Sequence, residues 1–336
     1  MIRQVALVLA ALTPFGNAAG AEDFYRGKTV TMVVGATASG SFDIVARALA
    51  RRMGAYIPGN PNFVVQNLSG AASLTALHYI ASTQPRDGLT MGVFLPGVIT
   101  QSLVTPEKVK IDLREYSWLG VVSGDFSRVC YGYGPNGIAS WDDLIKRGAD
   151  APFIMGTTGA GASNFVNAQS LRLILGANIK LVFGFPGATE QRLAVERGEL
   201  DGDCSGFNGI PPDWLREGKA HPFVRFAEKP TLGVPDSAVY VRDLAKTDEQ
   251  RRLLNFLYEA DKLGRPFVMS RQTPPDRLEI LRHGFDAVMK DEIFAGDLAK
   301  AQEIIAPLTG VQAEAVFNGM RAASTDIVAE ARKIYQ

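Results

Sequence analysis

The sequence predicts an α/β protein of two lobes, each a mainly parallel sheet flanked by helices. Three observations carry that reading. A strand pattern, a loop of small residues and a helical pattern follow one another at 29–50, again at 153–175 and again at 179–197. Strands alternating with helices build parallel sheets through right-handed crossovers. The length of 336 residues exceeds that of an ordinary single domain. Between Ser117 and Tyr133, two strand-like runs flank Gly124-Asp125, where the chain is expected to leave the first lobe.

The first unit organises the rest. Its strand begins at Thr29 in a β-branched, apolar run and breaks into small residues from Gly35 to Ser41. Ile44, Val45, Ala48, Leu49 and Met53 then recur at helical spacing. Such a loop sets backbone N–H groups at the positive end of a helix, a natural seat for an anion. Phe63 to Gln66 reads as a second strand, Ala71 to Ser82 as a small-residue helix, and Leu89 to Leu95 as a third strand closed by Pro96-Gly97. In the second lobe, Ser140 caps a short helix, with Asp142 and Asp143 in its first turn. The strands Phe153–Gly156 and Ile179–Phe183 each run into a small-residue loop and a helix, and Leu200 to Ser205 adds another strand. After a helix at Asp248–Leu263, Arg265 to Met269 returns as a strand to the first lobe. Helices at 274–289, 292–305 and 311–334 are expected to pack there too.

Composition narrows the function. Hydrophobic residues make up 46% and charged residues 21%, as in a folded globular protein. Lys plus Arg equals Asp plus Glu at 35 each, so no basic field points to nucleic acid. Arg3, the apolar run Val5–Leu12 and the small residues Ala19-Gly20-Ala21 read as a secretory signal over 1–21, too short to span a bilayer. The rival reading is an uncleaved membrane anchor. The two cysteines, Cys130 and Cys204, are either a disulfide in an oxidising compartment or two buried thiols.

Several chemistries fit poorly. Gly35 to Phe42 has the glycine spacing of a phosphate loop, but Ser41 stands where a lysine is required. Gly156, Gly159 and Gly161 lack the acidic partner of a dinucleotide site. Gly202 to Gly206 spells G-x-C-x-G, yet a thiol elbow needs a helix immediately after the nucleophile and a histidine base. Phe207 to Pro212 opens a helix badly, and His221 and His283 stand in unremarkable contexts. A secreted hydrolase using Cys204 or a nearby serine is therefore the second reading. His78, His221 and His283 form no ligand cluster, so neither metal nor cofactor is expected. Arg47, Arg51 and Arg52 read as the solvated face of the first helix. Asp43 is either a dipole partner in the first turn or the residue that fixes the loop and holds a bridging water.

Taken in order, Phe24-Tyr25-Arg26-Gly27-Lys28, TVTMVVGATASGSFDIVARALA, VVQNLSGAAS, QPRDGLTMGV, GTTGAGASNF, VFGFPGATEQRLAVERGELDG and TPPDRLEILRHGFDAVMKD are spread along the chain from residue 24 to residue 291. This series resembles the tripartite tricarboxylate transporter substrate-binding receptors, the Bug-type extracytoplasmic solute receptors. The resemblance implies a two-lobed periplasmic-binding-protein architecture of type II character. It implies a monomer that closes on a small organic acid, leaves it unaltered and hands it to membrane permease subunits from the periplasm. The lobes would be 22–123 plus 262–336, and 124–261. By the same resemblance, the acid is held by backbone donors and waters at Ala38, Ser39, Gly40, Ser41, Phe42 and Asp43. The facing lobe supplies Thr157, Thr158, Gly159, Ala160, Gly161, Ala162 and Ser163, and Phe185, Pro186, Gly187, Ala188 and Thr189. Pro96 and Ser205 complete the expected ring. This chain departs from the family where Ser205 replaces an acid, where Ala38-Ser39-Gly40-Ser41 replaces a glycine run, and where Phe42 replaces a small residue. The absence of a basic residue in these loops argues for a mono- or dicarboxylate, and Phe42 for a flatter or more apolar one, aromatic acids included.

Overall fold

A computed structural model describes residues 24–336 apart from 84, 125–126, 135–137, 160–161 and 232. The expected signal segment 1–21 and the loop residues Ala160 and Gly161 lie outside the described residues. The first half runs β1 (Thr29–Val34), α1 (Ser41–Met53), β2 (Asn62–Asn67), α2 (Leu74–His78), β3 (Thr90–Val93), α3 (Gly97–Val104), α4 (Pro106–Val109) and β4 (Tyr116–Val121). There follow β5 (Val129–Tyr133), α5 (Trp141–Ile145), β6 (Phe153–Thr157), α6 (Ser163–Gln169), β7 (Ile179–Phe183) and α7 (Ala188–Glu196). Next come β8 (Gly202–Asp203), α8 (Pro212–Arg216), β9 (Ala220–Arg225), β10 (Val239–Tyr240) and α9 (Asp248–Glu259). The chain ends with β11 (Pro266–Ser270), α10 (Pro275–Val288), α11 (Glu292–Lys300), β12 (Leu308–Thr309), α12 (Gly310–Arg321) and α13 (Thr325–Ile334).

Two six-stranded sheets result, ordered β12-β4-β11-β3-β1-β2 and β10-β9-β5-β8-β6-β7. In the first, β1 pairs in parallel with β2 and β3, while β11 lies antiparallel to both β3 and β4. In the second, β6 pairs in parallel with β7 and β8, while β5 lies antiparallel to β8 and β9. Each sheet is mixed for the same reason. The strand that enters after the chain crosses from the other sheet, β5 or β11, runs against its neighbours. The crossing segments bond to each other, Val122 N–H donating to Arg265 O at 3.2 Å and Arg265 N–H to Ser123 O at 2.9 Å.

Both sheets are covered on two faces. On β1, Val30, Met32 and Val34 meet α1, α10 and α11, while Val33 faces the cluster formed with α2, α3 and α12. Strands buried on both sides read as continuous apolar runs, which is why TVTMVV shows no alternation. A disulfide joins Cys130 on β5 to Cys204 just after β8, deep in the core of the second sheet.

Two stretches differ from the sequence expectation. The helix expected over 311–334 breaks into α12 and α13, because Ser324 adopts an extended conformation before Thr325. The three tail helices were expected on the first sheet, but α13 joins the cluster that contains α6 and α9, and Arg332 donates to the Val104 carbonyl at 2.8 Å. The helix expected from Ala71 to Ser82 starts later, at Leu74, and widens into a π-helical stretch over 79–83. Before it, Ala71, Ala72 and Ser73 take φ of 45°, 52° and 79° in succession. The left-handed region costs an L-residue roughly 1–2 kcal/mol.

That turn is held by Ser73. Its buried hydroxyl donates to the Gly35 carbonyl at 2.8 Å and accepts from Leu95 N–H at 3.0 Å, tying the loop after β1 to the loop after β3. A Cβ on Gly35 would lie 2.6 Å from Ser73 Cβ, so glycine is required there. We expect Ala72→Gly to stabilise the protein by about 1 kcal/mol by relieving the turn. Ser73→Ala should cost about 1–3 kcal/mol by orphaning the two loop groups. Urea unfolding of the two variants checks both signs; destabilisation by Ala72→Gly would show the turn to be unstrained.

Candidate ligand-binding site

A cavity of about 360 Å³ lies between the two sheets. Loops at the C-terminal ends of β1, β3, β6, β7 and β8 line it, the position where open α/β sheets bind ligands. On the side of the first sheet stand Phe42, Leu95, Pro96, Gly97 and Thr100. Facing them are Thr158, Ala162, Ser163, Asn164 and Val166, then Pro186, Gly187, Ala188 and Gln191, then Ser205. Arg128, Leu257, Ala260, Asp261 and Tyr335 close the side where the chain crosses.

Helices α1, α3, α6 and α7 all begin at this cavity. Their N-cap residues are Gly40, Pro96, Ala162 and Gly187, and none provides a side-chain hydrogen bond to the first turn. Elsewhere α5, α9, α11 and α12 are capped by Ser140, Thr247, Asp291 and Thr309, while α2, α4, α8, α10 and α13 have no side-chain cap either. A helix start leaves up to four N–H groups without intrahelical partners and carries partial positive charge. Bringing four such uncapped starts together gives the cavity a positive lining without a dedicated cation.

Asp43 does not line the cavity; it builds the loop behind it. The carboxylate is 3% exposed and accepts from Ser39 N–H at 2.8 Å, Arg47 Nε at 2.9 Å and Asn67 Nδ2 at 2.9 Å. Burial opposes its ionisation, but the bonds from Arg47, Ser39 and Asn67 outweigh burial and hold the carboxyl below its ordinary range. Ser39 is thereby kept at φ 65°. Arg47 is thus a loop partner rather than a plain solvated residue. Arg265 secures the same loop from the crossing segment. It donates to Ser41 Oγ at 2.6 Å, stands 5.6 Å over the Phe42 ring and pairs with the buried Glu303 at 2.8 Å.

Of the residues expected from sequence, Phe42, Pro96, Thr158, Ala162, Ser163, Pro186, Gly187, Ala188 and Ser205 line the cavity. Ala38, Ser39, Gly40 and Ser41 lie behind Phe42 in the loop rather than on the lining. Thr157 is buried, its hydroxyl engaged with Gly159 N–H and Asn164. Phe185 packs into the core on the α7 side, and Thr189 accepts from Arg192. The structure adds polar residues that no loop motif signals. Arg128 is ion-paired with Asp261 and stands 5.8 Å over the Tyr258 ring, so its charge is offset inside the wall. Tyr335 and Thr100 line the same wall, and Ser205 donates to the buried Asp203 at 2.5 Å. Asp203 is pushed up by burial, against the bonds from Ser205 and Cys204.

The hydrolase reading lacks its parts here. Cys204 is bonded to Cys130, and no histidine is among the residues lining the cavity. Among the described residues no cluster of His, Cys, Asp and Glu could hold a metal ion. No described helix is long and apolar enough to cross a membrane.

The Asp43 network makes a pH prediction. A carboxyl held below its ordinary value of 3.8 contributes stability that is complete above that value and is lost as pH falls through the folded one. Asp43→Asn should therefore lower stability by about 1–3 kcal/mol near pH 7, and by less near pH 3. Urea unfolding at the two pH values reads the difference; an equal loss at both would remove the charge from the account.

No protein-family model matches the chain. A UPF0065 protein of Agrobacterium vitis, from the TAR-I ttuE-ttuC′ intergenic region, is 27% identical over 179 residues, 52% of this chain and 50% of that protein. The chain thus matches about half the length of that curated relative. Among solved structures, a TctC solute-binding protein from Polaromonas superposes with a TM-score of 0.69 at 16% identity, covering 92% of this chain and 99% of that one. A protein of R. palustris solved with adipate gives 0.68 at 17% identity, covering 90% and 97%. MatC of Rhodopseudomonas palustris with bound malate gives 0.65 at 18% identity, covering 92% and 99%. The chain has the two-lobed fold of the TctC-type solute-binding proteins.

Proposed function

We propose that this chain is an extracytoplasmic solute-binding protein of the Bug type. It captures a small organic carboxylate between its lobes and delivers it, unaltered, to a tripartite tricarboxylate-type transporter in the membrane. Residues 22–123 with 262–321 form one lobe and 124–261 the other, with α13 packed against the second, and the exported protein works in the periplasm as a monomer. The observation that carries the reading is the convergence of four uncapped helix starts on one interlobe cavity. Such a lining suits a carboxylate, and no histidine stands among the described residues that line it. The ordered series of sequence motifs and the fold neighbours solved with adipate and malate support the same class of ligand.

A thermal-shift screen over aliphatic and aromatic mono-, di- and tricarboxylates tests the proposal. A ligand at a hundredfold excess over its Kd should stabilise the protein by about 2.7 kcal/mol and raise Tm by a few degrees. The acid should be recovered unchanged. Failure of every acid to move Tm would overturn the receptor reading, as would turnover of an ester that Cys204→Ala abolishes.

A further inference from the structure

Asp203 is a buried carboxyl that the receptor reading leaves unused. It lies behind the cavity wall, 2% exposed, and accepts its hydrogen bonds from neutral groups. Cys204 N–H donates to Oδ1 at 2.8 Å and the Ser205 hydroxyl to Oδ2 at 2.5 Å. Ser205 itself lines the cavity, so one hydroxyl separates the carboxyl from the space a ligand would enter. The surroundings do little to neutralise Asp203. Tyr131, its partner across the β5–β8 ladder, stays neutral because burial pushes its phenol up. On α7, Arg192 favours the ionised carboxyl, but that guanidinium is bonded to Thr189 and its pull is smaller than the effect of burial, which pushes Asp203 up. Arg128, immediately before β5, is paired with Asp261. From β6 and α6 come neutral groups, Met155 against the Cys204 sulfur and Asn167 to the Cys204 carbonyl. A carboxylate buried without a charged partner is costly, and a second anion nearby makes it costlier.

A serine hydroxyl has a single hydrogen to give. While Asp203 is ionised it only accepts, so the Ser205 hydrogen is committed to it and Ser205 offers the cavity lone pairs, which a carboxylate avoids. Once Asp203 carries a proton on Oδ2, that O–H donates to Ser205, and the Ser205 hydrogen is free to donate into the cavity. We propose, resting on the receptor reading above, that Asp203 and Ser205 form a relay that couples capture of a carboxylate to uptake of a proton. The entering carboxylate accepts from Ser205 and is itself unchanged. One O–H bond forms on Asp203 Oδ2 with a proton taken from water or buffer, so the wall loses one negative charge as the ligand brings one. Affinity therefore rises as pH falls.

Titration calorimetry of the full chain with malate, succinate, adipate and benzoate tests the relay, using at each pH two buffers of different ionisation heat. For an acid that binds, the buffer dependence should report uptake of about 0.3 proton or more at some pH between about 5 and about 8, and Kd should rise about three- to tenfold across that range. Asp203→Asn imitates the protonated state, because Cys204 N–H keeps the amide oxygen and the NH₂ then faces Ser205. Near pH 8 it should bind the same acid about three- to tenfold more tightly than wild type, and take up only what the acid's own ionisation accounts for. Equal uptake in wild type and Asp203→Asn would overturn the relay and leave the receptor reading standing. Should that variant fail to fold, Ser205→Ala decides. It should lose the uptake and bind more weakly near pH 5, and uptake at the wild-type level would overturn the relay. Absence of binding by all four acids at millimolar concentration would overturn both readings.

Discussion

Arg265 sits where the two crossing segments bond to each other, and the arrangement of the cavity depends on it. Its backbone pairs with Ser123 and Val122, which fixes the two strands as they pass between sheets. Its side chain reaches Ser41, Phe42 and Glu303, so the loop that begins α1 is anchored to the crossing point rather than to its own sheet alone. The pairing with Glu303 is buried on both sides, at 11% and 8% exposure, and breaking one partner of such a pair costs several kcal/mol. Rotation of one sheet against the other about these segments would act directly on Phe42. Crossing and ligand loop are one mechanical unit.

The charges around the cavity follow a consistent logic. A free cation facing the ligand would bind anions tightly and with little discrimination, and a free carboxylate would repel them. Neither is presented by the described residues that line the cavity. Arg128 is neutralised by Asp261 within the wall, and the charge of Asp43 is consumed by three donors in the loop. What remains is the field of the helix starts, which is weak individually and aimed at one volume. A site of this kind has no cation whose strength masks the fit, so small differences in ligand hydrogen bonding weigh heavily in the choice.

The sequence exposes the units whose physics is local. The run TVTMVV followed by small residues and a 3.6-residue period leaves little but strand, loop and helix, and three such units face one cavity. Ala71-Ala72-Ser73 misleads for an equally local reason. Alanines read as helix, whereas here the bonds of Ser73 to Gly35 and Leu95, formed only once β1 and β3 pair, hold them left-handed. The polar wall was out of reach altogether. Arg128, Gln191, Asp261 and Tyr335 come from a strand start, a helix interior, a turn after a helix and the end of the last helix. Nothing in their neighbours marks them; tertiary proximity alone makes them a group. Asp203 shows how substitution hides a role, since the acid sits two residues before Ser205 and reaches the cavity through that hydroxyl.

The last helix is held by both halves of the molecule. Arg332 binds the Val104 carbonyl at the end of α3, and Lys108 binds the Tyr335 carbonyl at 3.3 Å, which attach α13 to elements of the first half. Gln169 on α6 reaches the Ile334 carbonyl at 3.5 Å, and the Tyr335 and Phe165 rings lie 6.4 Å apart, which attach it to the second sheet. Tyr335 therefore stands where the two halves meet through a third connection, beside the crossing segments. Arg128, Asp261 and Thr100 stand beside it in the cavity. The deep wall is thus made by parts that both halves hold in place, whereas Phe42, Pro186 and Ala188 come from loops that belong to one half each.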